Sequence, residues 1–557
     1  MFTEINPGWC KAFSCFYTPL INNDLQQMMD NVDNIKQIII FTLIVVFPIV
    51  IITLALSDGE QENRHLEDVR SLYSGQSKPS VDHSKFDALK VDFTSPQEMT
   101  TACLSCHTER GKEVLGNAHW NWEREEYIEG RGVTYLGKKN LLNNFCTGIL
   151  SNEQACNRCH IGYGWEDHSF DFSDQRNIDC LICHDNTGQY TKASGAAGYP
   201  PMGEDAPDYN HITQNVGLPT NYNCGYCHFM SAGGNNVKHG DLEFALLEAD
   251  KAIDVHMAKD GLNLSCTDCH VTENHQMRGN YYAVSSTPNN NASCTDCHGQ
   301  FPHTKSKINE HTLKVDCRTC HIPEYAKVNP TKMSWDWSTA GQRDNGMPYA
   351  TYDSLGNEVY LSEKGDFDWK TNVQPEYVWF NGYADHHLIT DEITSDTINI
   401  NTLMGAAEDP DSKIIPVKIH RGRQPYDTVY NNLIQAKLWA RNEGEGALWV
   451  DLDWDEALRS GMEYVGMPYS GEYDFISTKM YLPLSHMVSP AEKALSCTDC
   501  HHRTNSRLKN VEGIYIPATS YSAKLNFAGM LFIWVCILGV VIHAGLRIFT
   551  HYKRKFE

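Results

Sequence analysis

Extended clusters of Lys and Arg are missing from this 557-residue chain, whose 46 basic residues are outnumbered by 70 acidic ones for a formal charge of −24. A polyanion needs a cationic footprint to dock on, so nucleic acid is excluded as the main partner. A small anion would need a local cationic pocket working against this global field. Strand-like alternation of apolar residues is sparse. No fixed interval recurs between its motifs, which excludes a solenoid. The length is too great for one ordinary core, so more than one folding unit is expected.

What the chain has in excess is cysteine and histidine, 20 and 25 respectively. Sixteen of the cysteines form eight copies of C-x-x-C-H: Cys103/Cys106/His107, Cys156/Cys159/His160, Cys180/Cys183/His184, Cys224/Cys227/His228, Cys266/Cys269/His270, Cys294/Cys297/His298, Cys317/Cys320/His321 and Cys497/Cys500/His501. Zinc sites would pair C-x-x-C units and need no His after each, and a disulfide framework gives no reason for a constant spacing. Two thiols that add across haem vinyl groups, followed by an imidazole that reaches the iron from one face, account for every element of the motif. Eight covalently bound haems c are therefore expected.

Two uncharged apolar runs are long enough to cross a bilayer as helices. One is QIIIFTLIVVFPIVIITLAL at 37–56 and the other NFAGMLFIWVCILGVVIHAGL at 526–546. Some 36 residues precede the first, and no small-residue cleavage site follows it, which favours an anchor over a signal peptide. Arg547, Lys553, Arg554 and Lys555 after the second place the C-terminus in the cytoplasm. The expected plan is a cytoplasmic segment 1–36, a span 37–56, an extracytoplasmic octahaem domain 57–524, a span 525–547 and a basic cytoplasmic tail 548–557. Cys10 and Cys15 then sit where free thiols are normal. His543, followed by Gly545 and Arg547, resembles the HG-x-x-R pattern of haem b helices in quinol-oxidising cytochromes; the alternative is a histidine hydrogen-bonded near the interface.

The domain between the spans has about 58 residues per haem, too few to bury each porphyrin in a conventional fold. We expect a multihaem cytochrome c fold, mainly α-helical, with long loops wrapped around a stacked haem core. Up to Cys317 the motifs lie 23 to 53 residues apart, and 175 residues rich in Trp, Tyr and Asp separate His321 from Cys497. That long interval is expected to wrap the core and return ligands to the irons.

Each iron needs a second axial ligand or an open position for substrate. His275 and His303 follow a motif histidine by five residues, too few to round a porphyrin, so each should serve a neighbouring haem. His119, His256, His311 and His486 stand among small or apolar residues, as buried ligands should, and His239 and His420 complete the set of eight distal candidates. His65 and His83 precede the haem region, and His168, His211, His386, His387 and His502 lie in polar contexts that suit solvated side chains. Lys238, taken alone, reads either as a surface lysine paired with Asp241 or as a ligand. Cys146 is the remaining ectodomain cysteine, ten residues before Cys156. It reads equally as a small buried side chain or as a thiol beside the second haem.

The run LLNNFC, CHIGYGW, FDF, DCLICHD, VKHGDLE, DVHM, TCHIPEYAK, WDWSTAG, KIHRGRQPYD and SHMVSPAEKAL, in that order with the eight motifs, resembles the octahaem tetrathionate reductase family of c-type cytochromes over roughly residues 98–505. The resemblance implies an active-site haem with a lysine amine as its distal ligand. Carried over by motif order, that haem is the second, Lys238 is the lysine, and His239 turns toward another haem; Lys192 is the runner-up. Lys238, Cys146 and Asp241 become the candidate catalytic residues. The family has soluble members, so the two spans depart from its pattern.

The resemblance implies reduction of a small anion, tetrathionate or else nitrite, or of hydroxylamine. The alternative is a conduit passing electrons from a quinol-linked membrane cytochrome, itself a carrier of haem b, to other cytochromes. Related octahaem enzymes that oxidise hydroxylamine use a tyrosine cross-linked to the catalytic haem, and no such tyrosine is identified. Intact mass spectrometry should show about eight haem increments on the 557-residue chain; a mass lacking residues 1 to about 56 would reject the first anchor and leave the haem count standing.

Overall fold

The computed structural model describes residues 35–36, 39–40, 42–47, 49–50, 81–128, 130–279, 292–517 and 522–556. The chain divides into two compact units, one of Met1–Arg64 with Gln300–Glu310 and one of His65–Gly299 with His311–Glu557. In the first, the described part of the span expected at 37–56 includes a short helical turn, Thr42–Val46; the rest of that span lies outside the described residues. His303 belongs to this unit, and its Nδ1 lies 3.2 Å from Asn309 Oδ1.

The second unit holds all eight motifs, each on a short helical turn. C-x-x-C places its two thiols at i and i+3, which only a helical turn brings to one face. The flanking residues build that turn. In the Ser-Cys-Thr-Asp-Cys-His stretches at 265 and 496, the serine caps the helix and the aspartate three residues on reaches back to it. Thr220 with Asn223 does the same before Cys224. Asp316 caps Cys317–His321.

The 175-residue interval is where the expectation of a mainly α-helical chain is corrected. It contains the whole of a nine-stranded sheet whose main path runs Thr397–Asn399, Tyr473–Pro483, Lys413–Asp427, Thr331–Asp336, Gly365–Lys370, Glu358–Leu361, Ala350–Tyr352. Lys413–Asp427 is its spine. It pairs antiparallel with Tyr473–Pro483 over eleven positions and with Glu376–Phe380, and parallel with Thr331–Asp336. From Ile414 to His420 every residue is buried, so both faces are covered and no polar alternation is left to read. A stretch that anchors no haem must bury its own side chains, and Trp335, Trp337, Phe367, Met480 and Leu482 do so in one cluster.

That cluster also takes in Leu142 and Phe145 of LLNNFC and Val237 of VKHGD, so the sheet fixes the two loops that carry Cys146 and Lys238. The same interval also forms two helices, Leu448–Asp451 and Trp454–Tyr464. The second is capped by Asp453 and buries Ala457, Leu458, Gly461 and Met462, one face at helical spacing.

Ala523–Phe556 is a 34-residue helix ending in Lys553, Arg554 and Lys555. Among the described residues it is the one helix long and apolar enough to cross a membrane, and none of that apolar stretch is buried by protein. Substituting Leu458→Ala should destabilise the sheet half by about 2–5 kcal/mol, read as a lower denaturation midpoint in far-ultraviolet dichroism with haem content unchanged. An unaltered midpoint would show that this helix contributes no core.

Candidate functional site

Six of the eight motif histidines face a second imidazole at a narrow range of ring-centre distances. The pairs are His107 with His83 (6.3 Å), His184 with His275 (6.4 Å), His228 with His119 (6.0 Å), His270 with His486 (6.3 Å), His298 with His256 (6.0 Å) and His501 with His311 (6.1 Å). An imidazole nitrogen binds a metal at about 2 Å, and with the ring centre about 1.1 Å further out, two rings on one metal stand roughly 6.2 Å apart. This is the spacing of two axial ligands on a common iron, and the thiol pairs beside it complete the donor set of a c-type haem.

Hydrogen bonds orient these rings. Nδ1 of His184 meets the Gly217 carbonyl at 2.8 Å, that of His270 the Arg278 carbonyl at 2.7 Å, and that of His275 the Glu113 carboxylate at 2.8 Å. His119 meets Asn117 at 3.2 Å, and His486 meets Asp241 at 3.3 Å. A partner on Nδ1 leaves Nε2 with its lone pair toward the metal and sets the ring's angle. Burial favours the neutral form in two of these rings, His119 being pushed down to about 4 and His228 to about 3 with desolvation the first cause in both, whereas at His486 burial is outweighed by the Asp241 carboxylate, which raises it.

The motif thiols are enclosed unevenly. Twelve of the sixteen are partly buried, whereas Cys106, Cys269, Cys294 and Cys497 are exposed. Cys106 is the first of these exposed thiols along the chain. It is the last residue of the helix Pro96–Cys106, whose buried residues, Pro96, Met99 and Thr100, all lie in its first half. The Ser105 hydroxyl approaches its sulfur at 3.8 Å, and His107 beside it is exposed as well. A thioether joins the rim of a porphyrin and not its centre, so an attachment thiol can stand at the surface while His107 and His83 face each other as the pair that would hold the iron.

His83 corrects the sequence reading, which set it aside as upstream of the haem region. It lies 20 residues before Cys103, outside every inter-motif segment, and no local pattern marks it. His386 is a second correction: placed among solvated histidines, it is buried at 3% exposure on the short strand Ala384–His386 and pushed down to about 3 by desolvation.

The second motif differs. His160 is fully buried in a box of Trp120, Trp122, Trp165, Phe170 and Phe172, with ring centres 5.1–6.1 Å away. Its Nε2 lies 2.7 Å from the Trp120 carbonyl, and its Nδ1 has no hydrogen-bond partner. CHIGYGW and FDF supply three of the five rings. Lys192 is committed elsewhere: its fully buried ammonium pairs with Asp179 at 3.2 Å and donates to the carbonyls of His160 and Gly162.

Lys238 is brought to this motif. Loss of water around it, and then the charge of Lys138, pushes its ammonium down to about 7, while Cys159 and Cys146 pull it up. Cys146 in turn acts on Cys156. Burial raises the Cys146 thiol, and Lys364, Lys332 and Lys238 pull it back down. The loop is held from below by Lys418, fully buried, which donates to the carbonyls of Val237 (3.0 Å) and Lys238 (2.8 Å) and to Thr331 Oγ1 (2.6 Å). Asp241 is directed away. Its Oδ2 accepts from the backbone N–H groups of Ser485 (2.8 Å) and His486 (3.0 Å) and orients the His486 ring, so the structure gives this candidate catalytic residue a positioning task at the fifth motif.

His420 is also buried, its ring 4.0 Å from Phe145 and both nitrogens without a hydrogen-bond partner. It pairs with no motif histidine among the described rings. His239 is held well below the ordinary imidazole range, first by burial and then by Lys238.

The motif thiols also reveal which motifs are neighbours. Cys103 lies beside Cys180, Cys159 beside Cys227, Cys224 beside Cys266 and Cys294 beside Cys317. Cys183 is within electrostatic reach of Cys224, Cys269 of Cys297 and Cys320 of Cys500. In motif order the line runs first, third, fourth, fifth, sixth, seventh, eighth, and the second joins as a branch at the fourth. Among the described residues no group of three or more His, Cys, Asp or Glu side chains is arranged to hold a metal ion directly.

Two family models match: bacterial cytochrome c over residues 332–504, and cytochrome c554 and c-prime over residues 223–299. An uncharacterised protein of Archaeoglobus fulgidus is 25% identical over 278 residues, covering 41% of this chain and 88% of its own. The crystal structure of an octahaem cytochrome c from Shewanella oneidensis is 43% identical, with a TM-score of 0.71, covering 78% of this chain and 98% of its own. Replacing His83 with Ala should convert one haem to a high-spin signal while haem content holds; an unchanged spectrum would remove His83 from the ligand set.

Proposed function

The chain belongs to the octahaem c-type cytochromes, and from that premise we propose that it is a membrane-tethered respiratory reductase of a small anion, acting at its second motif. The observation that carries this reading is the difference of that motif. Where six others face a paired imidazole, the second has His160 boxed by aromatic rings and Lys238 and Cys146 close to its thiols. When bound, the haems supply the electrons, one at a time, along the row of neighbouring motifs.

The protein's own groups do the rest. Lys238, poised to be neutral or protonated near pH 7, can donate its lone pair as a displaceable ligand or present a cation to the substrate. Cys146 offers a thiol to a sulfur substrate. Tetrathionate takes two electrons across its central S–S bond and gives two thiosulfates, with no proton required. Hydroxylamine takes two electrons and two protons to give ammonia and water; nitrite reduction is the remaining candidate. In this reading Ala523–Phe556 tethers the haem domain to the outer face of the cytoplasmic membrane, and the span at 37–56 does the same from the other end. A quinol-linked membrane cytochrome is the donor.

The second reading, a conduit between such a donor and other cytochromes, is favoured by the line of seven motifs that bypasses the second one. A reduced viologen dye assayed against tetrathionate, nitrite and hydroxylamine separates the two. A reductase oxidises the dye with at least one of them, and Lys238→Ala lowers kcat/KM about a hundredfold or more with the other haems spectrally unchanged. No turnover with any of the three would leave the conduit.

A further inference from the structure

Lys332 stands where a charged side chain has little reason to be. At 5% exposure it is the second residue of the strand Thr331–Asp336, and its Nζ lies 3.2 Å from the ring centre of Phe367, 4.1 Å from Trp335 and 5.0 Å from Trp369. Among the described residues no carboxylate, carbonyl or hydroxyl makes a hydrogen bond or ion pair with it. Burial, and then the charge of Lys364, pushes this ammonium down to about 7, with Cys146 and Glu358 pulling it back up. A desolvated ammonium held only by aromatic faces is costly unless an anion completes it.

Its neighbours show where that anion would lie. Phe367 and Trp335 belong to the cluster that contains Phe145 and Val237, with Cys146 and Trp369 packed against it. Thr331, one residue earlier, donates to the Asn236 carbonyl at 2.6 Å and so ties this strand to the Lys238 loop. Lys332, Lys364 and Lys238 all act on the Cys146 thiol. Lys364 sits half-buried, its Nζ 5.3 Å from the Trp449 ring centre. In a chain of charge −24, this is an inward-facing cationic island beside the second motif, the local reversal of field that an anionic substrate requires.

We propose that Lys332 is the substrate-positioning residue of this centre: with Lys364 it forms a cationic wall opposite Lys238 and receives the charge of a small oxyanion or thio-oxyanion. The aromatic rings keep the ammonium dry and fixed in place, so it meets an incoming anion without competing water and without loss of rotamer freedom. A neutral substrate gains nothing from it. This inference rests on the second motif being the reactive centre.

The test uses the full haem-loaded protein with Lys332→Met, which keeps the packing against the rings and removes the charge, and with Lys332→Arg. Loss of one charge-assisted contact should raise KM for nitrite and for tetrathionate roughly tenfold to a hundredfold, with kcat within about twofold. The ratio of kcat/KM for nitrite over that for hydroxylamine, measured at pH 7 where hydroxylamine is largely uncharged, should fall by at least about tenfold. Nitrite titrated into the oxidised protein, followed in the haem spectrum, should show its apparent Kd rise in the same proportion, and Lys332→Arg should recover most of both. An unchanged nitrite Kd in Lys332→Met overturns the proposal, as does an equal loss for nitrite and hydroxylamine, which would mark a structural role. If the unaltered protein reduces none of these substrates yet its nitrite Kd responds to Lys332→Met, the reductase reading falls and the cationic wall stands.

Discussion

Covalent attachment fixes only half of each metal's surroundings. A C-x-x-C-H turn places two thiols and one imidazole on the same side of a short helix, and it is too brief to reach round to the opposite face. The chain must therefore supply the far ligand from a distance, and most of its long-range organisation follows from that need. His83 serves a motif 20 residues downstream, whereas His486 is brought to a motif more than two hundred residues upstream by the Asp241 carboxylate. Each such crossing ties two distant segments, and at His486 the hydrogen bond to Nδ1 sets the ring's angle.

The sheet answers a different problem. Around the motifs, packing is divided among small clusters, but residues 331–483 build a core of ordinary kind from Trp, Ile, Leu and Met. That core is rigid support. It clamps the VKHGD loop through Lys418 and embraces LLNNFC through Leu142 and Phe145. The two residues singled out at the second motif, Lys238 and Cys146, both stand on loops gripped by this one cluster, although 91 positions separate them in sequence. A reactive group held on a rigid scaffold keeps its geometry.

How much of this could be read beforehand depended on whether a feature is local. The eight motifs, their capping residues and the helix at Trp454–Tyr464 are written in adjacent positions, and so is the apolar C-terminal helix. The exposure of Cys106 is not local, because identical motif letters stand partly buried elsewhere in the chain. The spine strand Lys413–Asp427 left no trace because burial on both faces erases the alternation by which strands are recognised. Axial pairing is non-local by nature. VTENH told that His275 must serve another motif but not which one, and His83 carried no signal at all. Asp241 looked like the natural counter-ion of Lys238 three residues away; in the fold its carboxylate faces Ser485 and His486. The aromatic box around His160 was visible only as letters in CHIGYGW and FDF, whose convergence needs Trp120 and Trp122 from an earlier segment.

The branch at the fourth motif has a consequence of its own. A reactive station inserted as a link in a series would stop all traffic whenever it was blocked, inhibited or chemically damaged. Hung from the side, it leaves the main line intact, so that charge can cross the molecule from either end while the side station is idle. On the proposed reading of the second motif as the reactive centre, the seven other motifs act as a reservoir that fills while no substrate is present and empties in a burst when some arrives. A molecule wired this way tolerates an intermittent supply of oxidant, because storage and conversion have been given to different places.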